Sequence, residues 1–406
     1  MASSTNPSLP TSIPQPTDSE ILVRDFLAAN PQLDQELGDI EVMTDRYTNS
    51  EWAAQIAETQ KKVLAGLETE EGKKKKFDAP QVGSKEFAET IDHTVLKLDA
   101  STKAIDDLCA EARTEGFKSV CVRLNHVARC ITNLKGSPVV VACVVGFHEG
   151  TQDTYDKLRE ARAAVAAGAS ELDVVLNHSI LTSVPSSSNK KATKPSTHTR
   201  DSTADTITWA NTEANAKPSA GSSAPSSGPY SVPGSAVSAE EEDSIIPDYS
   251  AIYRELASIR SLCPSPTVLK LILETSQLNP AQILAASHLA AAANFDFIKT
   301  STGFNGPGAK LEDVKLMVAA TEYLSTKHKS NGGSPVRARK MQVKASGGVR
   351  SLADALIMLE AGATRLGTSS GLWIMQESRE KSKEKEGEKR PVGATRLYTD
   401  DSVGGY

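Results

Sequence analysis

Short apolar runs recur along this chain at a steady rhythm. Most follow an amphipathic stretch that ends in glycine or another small residue. The joints ARTEG–FKSVCV, AAGAS–ELDVV, AAANF–DFIKTS and EAGAT–RLGTSS echo one another. Each reads as a helix stop followed by a buried strand. Continued along the chain, the pattern predicts strands at 91–97, 119–123, 139–146, 171–175, 268–274, 297–301, 342–347 and 365–370. Helical patterns such as TKAIDDLCAEARTEG and DTYDKLREARAAVAAGA fill the gaps between them. Eight strands alternating with helices predict an α/β fold, a (β/α)8 TIM barrel. A doubly wound open sheet is the competing architecture. Its usual nucleotide site needs a Gly-rich turn after the first strand, and the sequence has none there.

The same pattern sets the flanks apart. Residues 1–18 are polar and Pro-rich and are expected to be a disordered tail. Residues 19–85 carry helical signals, TDSEILVRDFLAAN and SEWAAQIAETQKKVLAGL, with Asp18 or Ser19 as candidate cap of the first. They read as an appendage to the barrel of residues 86–380 rather than part of its core. Residues 181–244 are rich in Ser, Thr, Pro and Ala and lack apolar periodicity. Such a segment cannot bury enough surface to offset its ordering entropy, so it is expected to be a disordered insertion after the fourth strand. A smaller insertion spans 327–340, and 381–406 reads as a polar tail.

Composition narrows the function. A net charge of −6 gives no sign of a nucleic-acid partner, and the KKKK run at 73–76 is flanked by acidic residues. The five cysteines, at 109, 121, 130, 143 and 263, have no metal-ligand or redox spacing and read as small buried hydrophobes. No run of about 18 apolar residues is present, and the N-terminus lacks a secretory apolar region. The expectation is a cytoplasmic protein without a membrane partner.

Strand alternation then brings the chemistry together. In FDFIKTS, Lys299 shares a face with Phe297 and Ser301, and in QVKASG, Lys344 shares one with Gln342 and Ser346. By the same rule Lys270 falls with Ile272 and Glu274, Asp173 with Glu171 and Val175, and Asp92 with Thr94. Five strands thus point a charge into the barrel: Asp92, Asp173, Lys270, Lys299 and Lys344. As scaffolding alone this would carry a large desolvation cost, and clustered charges of this kind mark working sites. An amine nucleophile must be uncharged, whereas a free lysine titrates near about 10.4. A neighbouring ammonium and partial burial both favour the neutral amine. Bringing it near neutrality costs about 4 kcal/mol, which clustered lysines supply. A neutral amine attacks a carbonyl to form a Schiff base, whose iminium is an electron sink. Asp173 is placed to move protons, directly or through water.

The turns after the late strands add a second signal. STGF follows Lys299, SGGV follows Lys344, and GTSSG ends the eighth strand and opens a helix. Gly- and Ser-rich loops there commonly hold phosphate through backbone N–H groups. Gly303, Gly347, Gly348, Ser369 and Ser370 are the candidates.

With those residues in hand, the motifs ELDVV, LKLILET, FIKTSTGF, VKASGGV and GTSSG resemble those of deoxyribose-phosphate aldolases. IDHTVLK and SVCVR resemble that family's first two strands, and the likeness covers about 88–180 and 245–375. The resemblance implies reversible cleavage of 2-deoxy-D-ribose 5-phosphate to D-glyceraldehyde 3-phosphate and acetaldehyde, without metal or organic cofactor. It implies that Lys299 is the Schiff-base lysine, Lys344 the neighbour that lowers its pKa, and Asp173 the proton-transfer carboxylate. Lys270 joins the charge network, while Asp92, Thr94 and Cys121 match residues near the substrate. The implied partner is a small phosphorylated sugar, and a homo-oligomer is a candidate assembly.

The insertion and the first 85 residues lie outside the resemblance. The chain ends DDSVGGY, and Tyr406 on its Gly-Gly hinge is a candidate tail contribution to proton transfer. His126, His148 and His178 lie just past strand ends and read as loop residues, and His93 alternates away from Asp92. Two alternatives stay open: a Schiff-base aldolase with a different donor, and a non-catalytic barrel used for binding. Bulky inward residues near Lys299, Phe297 among them, favour a donor as small as acetaldehyde.

Overall fold

The computed structural model describes residues 15–37, 40–183, 246–330 and 340–385. Its eight strands are β1 (Ile91–Thr94), β2 (Ser119–Val122), β3 (Val140–Val145), β4 (Glu171–Val175), β5 (Val268–Ile272), β6 (Phe297–Lys299), β7 (Gln342–Ser346) and β8 (Arg365–Thr368). They pair in parallel in sequence order, and β8 closes onto β1. The (β/α)8 barrel expected from the strand–helix rhythm is the fold. β4 ends where expected, and the other seven strands end one to three residues earlier than the apolar runs suggest. Beyond Thr94 and Lys299 single backbone bonds persist, Val95 N to Cys121 O at 3.0 Å and Thr300 N to Lys344 O at 3.1 Å. The chain then turns into the loops that form the mouth.

The outer layer is α6 (Thr102–Glu115), α7 (Val127–Asn133), α8 (Thr154–Ala166), α10 (Tyr249–Leu262), α11 (Pro280–Ala292), α12 (Leu311–Ser330), α13 (Leu352–Glu360) and α14 (Gly371–Lys385), with a one-turn α9 (Ser179–Thr182) after β4. Gly116 ends α6 in the left-handed conformation, φ 73°, which glycine adopts without a Cβ clash. The insertion expected at 181–244 falls, from residue 184 on, outside the described residues, as do 331–339, 386–406 and the tail before residue 15.

Ahead of the barrel come α1 (Asp18–Ala29), α2 (Pro31–Leu37), α3 (Asn49–Glu68), α4 (Glu70–Lys74) and α5 (Lys85–Ala88). Thr17, rather than Asp18 or Ser19, caps α1 in a reciprocal box with Glu20, and Thr48 with Glu51 does the same for α3. These helices are no loose appendage. Val23, Phe26, Trp52, Ile56 and Val63 are buried in the same apolar cluster as the barrel's outer helices. The Trp52 ring lies 4.8 Å from that of Tyr253 and 6.0 Å from that of His288. Thr59 Oγ1 and His288 Nδ1 share a hydrogen bond of 2.9 Å. The reason shows in α11, PAQILAASHLAAA, which has almost no polar face: the barrel takes one side and α3 the other.

Candidate active site

Asp173 sits at the centre of the barrel interior, fully buried, and three lysine side chains converge on it. Lys299 Nζ and Lys344 Nζ each donate to its Oδ2 at 2.8 Å, and Lys270 Nζ donates to its Oδ1 at 2.8 Å. Register explains the meeting. Lys299 and Lys344 are paired neighbours on β6 and β7, and Asp173 pairs with Lys270 across β4 and β5. Thr300, the residue after Lys299, sews the two strand ends together: its hydroxyl donates to Ser346 O at 2.9 Å and accepts from Ser346 N at 3.0 Å.

A second carboxylate, Asp92 on β1, forms an ion pair with Lys344 at 2.6 Å through Oδ2, and its other oxygen accepts from Ser119 Oγ and Arg365 Nη1, both at 2.7 Å. Glu171 pairs with Lys270 at 2.6 Å and with Arg365 at 3.2 Å. Glu171 and Arg365 belong to this cluster although the sequence reading left them out of it. Two-residue alternation along β4 and β8 carried both; applied to RLGT, it puts Arg365 and Gly367 inward. Gly367 makes room: a Cβ there would lie 2.9 Å from Lys344 Cε and 2.6 Å from Ser346 Oγ.

Electrostatics follow from this layout. Burial by itself would raise the Asp173 carboxyl, but Lys270, Lys299 and Lys344 hold it well below the usual carboxylate range. Asp92 is likewise lowered, with Arg365, Lys344 and Lys270 outweighing burial. For Lys344 burial opposes the ammonium, yet Asp173 and Asp92 prevail and raise its pKa, and Asp173 and Glu171 do the same for Lys270. Cys121 lies 3.9 Å from Asp173 Oδ2 and is pushed up to about 11, mainly by burial, so it is a neutral thiol. By formal charge, four cationic side chains face three carboxylates.

Toward the mouth, Leu96, Cys121, Ala142 and Val144 form a small apolar patch, and Phe147 and Phe304 pack against it. Phe297 does not line this patch. It lies two residues deeper on β6, with the Arg365 guanidinium carbon 5.2 Å from its ring centre. Thr94 turns its hydroxyl to Asp92 O at 2.9 Å. His93 points outward to Glu111, 2.6 Å away, as alternation requires, and His148 stacks on Phe304 in the loop after β3.

The glycine loops meet beside Lys299. Gly303, Gly347 and Gly348 all have positive φ, 87°, 85° and 75°. A Cβ on Gly347 would lie 2.8 Å from Gly308 Cα and 3.6 Å from Gly303 Cα, so backbones touch where side chains would intrude. Ala309 N bonds both Ser346 O and Gly347 O, at 3.2 and 3.0 Å. Thr368 Oγ1 donates to Val349 O at 2.6 Å and accepts from Ser370 N at 2.9 Å, drawing the Ser369–Ser370 turn to the same place. Ser301 faces inward like Lys299, and its buried hydroxyl has no partner among the described residues. Tyr406 lies outside the described residues.

Comparison with known proteins bears on the same elements. The DeoC/LacD family aldolase pattern matches residues 250–377, which run from α10 into the first half of α14. A deoxyribose-phosphate aldolase from Coccidioides immitis is 36% identical over 303 residues, 75% of this chain and 84% of its own. This chain belongs to the deoxyribose-phosphate aldolase family. A deoxyribose-phosphate aldolase from Bdellovibrio bacteriovorus is 34% identical over 70% of this chain and 94% of its own length. A crystal structure from Coccidioides immitis matches with a TM-score of 0.59 at 33% identity, over 83% of this chain and 100% of that one. The family's enzymes are carbon–carbon lyases, and this aldolase places its lysines and carboxylates at the centre of the barrel.

Proposed function

We propose that the protein reversibly cleaves 2-deoxy-D-ribose 5-phosphate into D-glyceraldehyde 3-phosphate and acetaldehyde through a Schiff base on Lys299, in the cytoplasmic breakdown of deoxynucleosides. The carrying observation is that Lys299 and Lys344 share one carboxylate oxygen, Asp173 Oδ2, at 2.8 Å each. Lys344 is the poorer candidate nucleophile, because Asp92 and Asp173 together hold its proton.

In the cleavage direction the neutral Lys299 amine attacks the C1 aldehyde, and loss of water gives the iminium. The C3 hydroxyl gives up its proton to Asp173 or to a water held by it, and the C2–C3 bond breaks. Glyceraldehyde 3-phosphate leaves, and the electron pair rests in the enamine. Protonation at C2 and hydrolysis release acetaldehyde and return the amine. Lys344 and Lys270 remain charged throughout and stabilise the negative charge that develops on oxygen. The phosphate is taken by the backbone N–H groups around Gly303, Gly347, Gly348, Ser369 and Ser370.

The donor is small because the patch of Leu96, Cys121, Ala142 and Val144 under Phe147 and Phe304 offers a methyl group apolar contact. A hydroxylated donor would lose hydrogen bonds there, which favours acetaldehyde over the larger donors of other Schiff-base aldolases. The test is turnover of 2-deoxyribose 5-phosphate, followed as released acetaldehyde. Lys299→Ala is expected to lower kcat by at least about 10³-fold, the scale for loss of a covalent nucleophile. An active Lys299→Ala enzyme would contradict the assignment, and an inert parent protein would favour the non-catalytic alternative.

A further inference from the structure

Glu274 is a buried carboxyl that the cleavage steps do not use. The two-residue alternation of VLKLILE puts it on the inward face of β5, yet β5 ends at Ile272 and Glu274 has a left-handed backbone, φ 57° and ψ 62°. A side chain rarely adopts that conformation without support from its surroundings. Here the support is the loop after β6. Glu274 Oε2 accepts from Thr302 N at 3.2 Å and, in a short bond, from Thr302 Oγ1. Thr302 Oγ1 in turn accepts from Phe304 N at 3.1 Å. The turn after Glu274 grips the far side of Phe304: Ser276 Oγ and Gln277 Nε2 both donate to Asn305 O at 2.8 Å. Asn305 Nδ2 then reaches the loop after β3, donating to His148 O at 3.1 Å.

Phe304 is held at the centre of these bonds. Its ring lies 5.1 Å from Phe147, edge-on, and 5.2 Å from His148, stacked, and it packs against the apolar patch beside Cys121. We infer that Glu274 is a positioning residue that sets the size of the aldehyde donor by latching the Thr302–Asn305 loop, so that Phe304 stays closed over the donor patch. The inference rests on the Schiff-base reading above, since it concerns the donor half of that site. Only one carboxylate oxygen is needed to accept both Thr302 bonds, so an amide in the same place serves equally well, and a methyl group does not.

The experiment compares kcat/KM for acetaldehyde and propanal in addition to glyceraldehyde 3-phosphate, with borohydride trapping of each aldehyde on Lys299 in parallel. The parent enzyme is expected to prefer acetaldehyde by about 10- to 100-fold, the usual worth of one methylene in a fitted pocket. Glu274→Ala is expected to narrow that preference to within about threefold while acetaldehyde is still trapped on Lys299. Glu274→Gln should keep the parent preference, and Phe304→Ala should reproduce the relaxed one. If Glu274→Ala fails to fold, Thr302→Val cuts the same latch from the other side and is read in its place. An unchanged preference in a folded latch variant, or equal losses on both aldehydes, overturns the inference and leaves the Schiff-base reading standing. Absence of any adduct in the parent protein overturns that reading and the inference with it.

Discussion

At the scale of single residues, Asp173 is the group on which the site depends. It accepts from three buried lysine side chains, so its removal leaves the charges of Lys270 and Lys344 without their common partner. Breaking a buried ion pair from one side costs about 3–5 kcal/mol, and Asp173→Asn is expected to lose stability on that scale as well as turnover. The lowered pKa values of Asp92 and Asp173 fix the sign of the pH dependence. Their stabilising contribution is present above the unfolded carboxyl value of about 4 and is lost as pH falls through the lower folded values. Lys344 and Arg365, both raised, contribute below their unfolded values and lose the contribution as pH rises through the folded ones. The difference in Tm between the parent and Asp92→Asn should therefore be flat from about pH 5 to about pH 9 and shrink below about pH 4. A difference that grew on acidification would contradict it. Lys344→Leu removes the fixed cation beside the reacting amine, and the acid limb of the pH–rate profile is expected to move to higher pH; an unmoved limb would count against that neighbour role.

These residues differ in how far the sequence exposes them. Two-residue alternation on short buried strands placed Lys299, Lys344, Lys270, Asp173 and Asp92 on one interior, because a barrel strand has only two faces. The same rule covers Glu171 and Arg365, which the sequence reading did not carry into the charge set. Glu274 is different: its left-handed backbone breaks the alternation, and nothing in VLKLILE announces the break.

At the scale of elements, the outer layer is thicker than a bare barrel needs. α11 is buried on both sides, and α3 supplies Trp52, Ile56 and Val63 to the outer one. Trp52 is 1% exposed between Tyr253 and His288, so Trp52→Ala is expected to destabilise by about 3–5 kcal/mol, read from the urea midpoint at unchanged m-value. A loss below about 1 kcal/mol would mean that the extension is only loosely docked. The apolar circumference of PAQILAASHLAAA is the sequence sign that a second layer covers it. Periodicity alone gives no partner for that face, which is why the N-terminal helices read as an appendage. Strand ends were overextended for a related reason, since the mouth loops continue the apolar run after the ladder stops. The outward bond from Asn49 Nδ2 to Pro247 O, 3.0 Å, shows the extension also holding the chain as it re-enters the barrel before α10.

At the scale of the whole molecule, closure of eight parallel strands brings together charges from residues 92 to 365 that no local pattern links. The ring forces Lys299 and Lys344 onto one oxygen, and the loops above them supply the glycine backbone and the aromatic cover. The central claim is that Lys299 is the amine that joins covalently to the donor aldehyde. Incubation with acetaldehyde and borohydride, followed by peptide mapping in a mass spectrometer, tests it most directly. The account predicts one reduced two-carbon adduct, on Lys299, absent from Lys299→Ala. An adduct on Lys344 or Lys270 instead, or none at all, would contradict it.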